Sequence, residues 1–113
     1  MQLQYSELDS GIRLIELSGV LDMNGTYAIE VDLVRHCAGE NVHILVDLSK
    51  VDYISSIGIP MLINSAKSVV RHGGKMALFN PQKAVEDILE LAGISLIIPI
   101  YTDLASATTA LLA

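Results

Sequence analysis

Two adjacent serines, Ser55 and Ser56, stand where an apolar run gives way to a helical pattern. A hydroxyl at the start of a helix can accept a hydrogen bond from a free backbone N–H and act as a cap. The same N–H groups and the positive end of the helix dipole favour an anion, so a serine there can also carry a phosphate. A third chemistry, nucleophilic catalysis, fits poorly. The nucleophile elbow of hydrolases requires Gly-x-Ser-x-Gly, and Ile54 occupies the first glycine position although Gly58 fills the last. No histidine and acid evidently complete a triad, since His72 falls at the far end of the same predicted helix. Catalysis is therefore not expected.

Other reactive side chains have structural readings. Cys37, the only cysteine, cannot form an internal disulfide. Arg35 and His36 beside it could lower a thiol pKa, but the residue falls on the apolar side of a predicted helix and reads as a small packed hydrophobe. His36, His43 and His72 are spread over two helix ends and a strand, without the spacing of metal ligands. His72-Gly73-Gly74-Lys75 lacks the preceding glycine and the following Ser/Thr of a phosphate loop, and reads as a helix stop. Asp22 can cap the first helix or fix a turn with Asn24, or it can face a partner; the residues alone leave both roles open.

The elements that would position the serines follow from periodicity. Leu3, Tyr5 and Leu8 alternate, Asp9-Ser10-Gly11 breaks the pattern, and Ile12, Leu14, Ile15 and Leu17 resume it, which predicts a hairpin. A connection over Gly19–Thr26 leads to a helix with a broad apolar face of Ala28, Ile29, Val31, Leu33, Val34 and Cys37, ended by Gly39. Val42, Ile44, Leu45, Val46 and Leu48 predict an interior strand. After Ser56, the apolar positions Ile59, Leu62, Ile63, Ala66, Val69 and Val70 predict a long helix, with Pro60 tolerated only in its first turn. Met76–Phe79 predicts a short strand, and Asn80-Pro81 opens a third helix in N-cap and N1 order. Ser95–Tyr101 predicts a last strand, at an edge because of Pro99, and a helix from Thr102 or Asp103 to Leu112 closes the chain. The fold class expected is α/β: a mixed sheet with an N-terminal hairpin, mostly parallel later strands joined by right-handed crossovers, and about four helices.

Composition narrows the function classes. A chain of 113 residues with 51% hydrophobic content suits one domain over residues 1–113. Its formal net charge is −6, and the cations form no stripe in the sequence, so nucleic acid is not expected as a direct partner. Leu96–Ile100 is too short to span a bilayer, and Met1-Gln2-Leu3-Gln4 lacks the features of a secretion signal. A cytoplasmic location without membrane contact is expected, and no cofactor or metal.

Together, the order of elements, the strand ending Val46-Asp47-Leu48-Ser49, the segment Val51-Asp52-Tyr53-Ile54 and the junction Ser55-Ser56-Ile57-Gly58 resemble the STAS domain family, and within it the bacterial single-domain anti-sigma factor antagonists. Gly19-Val20-Leu21-Asp22 resembles the turn after the family's second strand. The junction is closest to the form Ser-Ser-Ala-Gly, with Ser55 where many members carry Asp and Ile57 in place of a small residue. The resemblance implies Ser56 as phosphoacceptor, with Ser55 as the alternative, and a partner-binding surface of Asp22, Asn24, Ser55, Ser56, Ile57, Gly58 and Ile59. It implies partner switching in signal transduction and transcription regulation. The unmodified protein binds an anti-sigma factor that is also an ATP-dependent serine kinase, freeing the sigma factor; phosphorylation ends the complex, and a PP2C-type phosphatase restores it. The alternative is a non-switching scaffold or an accessory subunit of a stress-signalling or lipid-transport complex.

Overall fold

Gly11, at φ +88°, reverses the chain between β1 (Gln2–Glu7) and β2 (Arg13–Leu21), which pair antiparallel as the alternation predicts. The computed structural model describes residues 1–113. After β2 come α1 (Met23–Cys37), β3 (His43–Ile54), α2 (Gly58–Arg71), β4 (Lys75–Phe79), α3 (Lys83–Leu91), a 3-10 turn (Ile94–Leu96), β5 (Ile100–Tyr101) and α4 (Leu104–Leu112). The five strands form one sheet in the order β1-β2-β3-β4-β5, with every pair after the hairpin parallel. The expected fold class is the one observed.

Alternation along β3 divides the core. Ile44, Val46 and Leu48 face the larger apolar cluster with residues of α1, α2 and α3, whereas Leu45 joins Ile12, Ala77 and Phe79 under α4 alone. The helix α2 thus lies over a sheet face made of fully buried side chains. That support fixes where its first residue, Gly58, meets the ends of β2 and β3.

Five local expectations are corrected. First, β2 runs to Leu21 and α1 starts at Met23, so the connection predicted over Gly19–Thr26 shrinks to Asp22. Second, β3 continues past Ser49 to Ile54, pairing with the end of β2 through two register shifts; Val51 and Ile54 point inward with two exposed residues between them, a spacing that hides a strand's period of two. Third, α1 buries Ile29, Leu33 and Cys37 but leaves Ala28, Val31 and Val34 in solvent, because α1 packs along one stripe. Fourth, Asn80 extends the sheet instead of capping α3: its N–H donates to the Tyr101 carbonyl at 2.8 Å, its φ is +57°, and Gln82 precedes the first helical residue. The last strand is also shorter than Ser95–Tyr101, since Ile94–Leu96 coils into a 3-10 turn and Pro99 brings no donor. The fourth helix starts after Asp103, whose carboxylate accepts from the Ser106 N–H at 2.7 Å, as expected.

Candidate functional site

The ends of β2 and β3 are tied together by one carbonyl. Both the N–H and the hydroxyl of Ser55 donate to the Leu21 oxygen, each at 2.9 Å. Ser55 is thereby used up as a strut between the loop before α2 and the loop before α1. Ser56, the next residue, lies exposed in the turn, and its hydroxyl makes no hydrogen bond within the chain.

The capping role expected of these serines is not what the fold contains. The residue flanking α2 is Ile57, in helical conformation (φ −83°, ψ −27°), and no side chain caps the helix. Gly58 N–H is bonded to the Ser55 carbonyl at 3.1 Å, but Ser56, Ile57 and Ile59 N–H find no partner, and Pro60 has none to offer. No acidic side chain lies in the first turn. The mouth of α2 therefore presents unneutralised donors and the positive end of a 14-residue helix beside a free hydroxyl.

The remaining candidate residues separate by exposure. Asp22 caps α1, its carboxylate accepting from the Gly25 N–H at 2.8 Å, and remains exposed. Asn24, on the first turn of α1, is exposed and fixes no turn. Gly58 is buried; a Cβ there would lie 3.2 Å from Ile54 Cγ1 and 3.3 Å from the Leu21 oxygen, so it lets α2 start against both strand ends. Ile57 is half-buried, and Ile59 is half-buried against the core. The fold thus gathers the predicted residues at one edge, with Ser56, Asp22 and Asn24 outermost.

Around them stand apolar residues that the sequence reading missed: Val20 at the end of β2, Met23 and Tyr27 on α1, and Tyr53 at the end of β3, all exposed. For Met23 and Tyr27 the only signal is an excess of apolar positions on α1 over what one buried stripe needs, and Val20 and Tyr53 carry none. The other reactive groups lie elsewhere. Burial pushes the Cys37 thiol up to about 11, against the opposing pull of Arg13, so it is an inert core residue. His36 stacks on Tyr5 with ring centroids 4.0 Å apart, and the His72 ring contacts the Ser68 carbonyl at 2.7 Å.

A mixed five-stranded sheet whose free hydroxyl sits at the uncapped start of a helix defines an α/β domain with a displayed serine. The chain belongs to the STAS domain family, whose model matches residues 6–107. It is 29% identical over 118 aligned positions to the anti-sigma F factor antagonist of Paenibacillus polymyxa, covering 98% of this chain and 97% of the relative. Its fold matches the crystal structure of an anti-sigma factor antagonist from Mycobacterium paratuberculosis with a TM-score of 0.89, at 22% identity over 99% of this chain and 94% of that one. It also matches the phosphorylated form of the Bacillus cell fate determinant SpoIIAA, with a TM-score of 0.67 at 15% identity over 96% and 99% of the two chains. No helix is long and apolar enough to cross a membrane.

Proposed function

We propose that the protein is an anti-sigma factor antagonist that works by partner switching, with Ser56 as the phosphoacceptor. The observation that carries this reading is the division of labour between the two serines: Ser55 is bound into the fold by the Leu21 carbonyl, and Ser56 is free at an open helix mouth. The family, the name of the Paenibacillus relative and the phosphorylated SpoIIAA structure support it. In this reading the protein is a ligand and a kinase substrate, not a catalyst. Unmodified, it docks on an anti-sigma factor with serine kinase activity through Ser56, Asp22, Asn24, Ile57 and the accessible edge of Ile59, while the buried Gly58 only sets the start of α2 beneath them. A PP2C-type phosphatase resets it in the cytoplasm.

The switch direction follows from electrostatics. A phosphate adds roughly −1.5 to −2 charges and three acceptor oxygens. The free amides at the start of α2 stabilise that charge without any change in the core, so the domain stays folded. In an interface the same group must shed its hydration, and the exposed Asp22 in the tethered loop adds like charge nearby. A penalty of about 3 kcal/mol weakens binding more than about a hundredfold.

The test is a calorimetric titration of the host's anti-sigma serine kinase with three forms of the protein. Unmodified and Ser56→Ala protein should bind alike, and Ser56→Asp should bind at least about a hundredfold more weakly, with an unchanged melting temperature. Equal affinity for all three forms would favour the non-switching scaffold.

A further inference from the structure

The far end of α2 carries a different surface. A helix of 14 residues rises about 1.5 Å per residue, which separates its last turn from Ser56 by about 20 Å. There, two cavities of about 370 and 210 Å³ share Val70 and Ile97 and so form one groove, running from the last turns of α2 to the edge of β4. Val70 is 61% exposed and Ile97 47%. Lys67, Arg71 and Lys75 line the groove, and no carboxylate does. Three of the chain's seven Lys and Arg residues thus collect here, on a protein of formal net charge −6.

Two of these charges, Lys67 and Arg71, are not neutralised within the fold, whereas Lys75 is engaged with Ala113. Lys67 and Arg71 lie four residues apart on α2, where like charges repel, and the ion pairs of the chain involve only Arg35 and Lys83. Lys75 Nζ donates to the Ala113 carbonyl at 2.6 Å. The backbone beside them is also unfinished. Along β4, Lys75 N–H donates to Val42, the residue before β3, while Leu78 N–H donates outward to Pro99 and Asn80 N–H to Tyr101. Met76 falls on the same outward side as Leu78, but β5 pairs only with Leu78 and Phe79. Its N–H has no partner in the chain, and Pro99, the residue placed to donate to its carbonyl, has no N–H.

We propose that this groove is a docking site for an extended segment of a partner protein that combines apolar and acidic residues. The main-chain groups of Met76 pair with the backbone of that segment, an apolar side chain seats between Val70 and Ile97, and its carboxylates meet Lys67 and Arg71. An unpaired strand edge selects a peptide over an acyl chain, which offers no amide to it. The cationic rim selects acidic flanks. The site is independent of Ser56 and of the reading given above.

A phage-displayed library of random peptides selected against the full-length Ser56→Ala protein tests the proposal. The enriched peptides should carry aliphatic or aromatic residues beside Asp or Glu. Added to isotope-labelled protein, they should shift the amide resonances of Met76, Val70 and Ile97. The exposed double variant Lys67→Glu with Arg71→Glu should weaken them by at least about tenfold while leaving kinase binding unchanged. No enrichment, enrichment without acidic bias, shifts clustered around Ser56, or affinity indifferent to the double variant would each overturn it. Concentration-dependent shifts of the same three amides without peptide would assign the groove to a second copy of the chain and overturn it too.

Discussion

The helices α1 and α2 start side by side, at the ends of neighbouring parallel strands, yet they start differently. At α1, Asp22 supplies a carboxylate to the Gly25 N–H and the chain passes from strand to helix in one residue. At α2, no side chain caps the helix and a proline sits in the first turn. The first arrangement is complete in itself. The second leaves donors that no group in the protein uses, next to a hydroxyl that the fold does not need. A helix start that contributes little to stability can be modified without unfolding the domain, and that is the property a switch requires.

The comparison is broken most severely at the glycines. A Cβ on Gly25 would collide with the Val20 carbonyl, a backbone group that cannot rotate away, whereas on Gly58 it meets neighbours at 3.2 to 3.4 Å. Gly25→Ala should therefore cost about 2–3 kcal/mol in urea unfolding. Gly58→Ala should stay within about 1 kcal/mol of the parent, because the gain in helix propensity offsets the tight contact. Equal losses at both sites would remove the distinction between the two helix starts.

Asp22→Ala should cost about 1 kcal/mol, as the loss of a helix cap does, while Ser56→Ala should change stability by less than about 0.5 kcal/mol. Ser55→Ala falls between them, at about 0.5–1 kcal/mol, since it deletes one hydrogen bond to the Leu21 carbonyl but keeps the one from its own N–H. Denaturant midpoints measured in one buffer rank all three, and a Ser56→Ala loss as large as that of Asp22→Ala would show a hidden cap. An effect of the opposite sign is expected at Thr26, in α1 itself, whose buried hydroxyl has no partner. Thr26→Val should leave stability unchanged or raise it by up to about 1 kcal/mol in the same assay.

Periodicity made the sheet, the hairpin and α2 legible, because Leu62, Ala66 and Val69 recur at helical spacing and are buried together. The serine pair was also legible as a place, but not as a division of roles. Whether Ser55 or Ser56 is held depends on the Leu21 carbonyl, 34 residues away in sequence, and no local pattern encodes that contact. The extension of β3 to Ile54 was hidden by register shifts that break the period of two. On α1, apolar composition was read as one broad buried face, but the helix meets the sheet along Ile29, Leu33 and Cys37 and leaves Val31 and Val34 outside. Proline gave a boundary correctly at Pro60 and misleadingly at Pro81, where Asn80 was still bonded to β5.

The central claim is that Ser55 is structural and Ser56 is the switch. Phosphopeptide mapping of the protein isolated from its native host measures this directly. A single phosphate on Ser56, lost in Ser56→Ala and retained in Ser55→Ala, is the predicted result. Phosphate on Ser55, or on neither serine under any growth condition, would contradict the account.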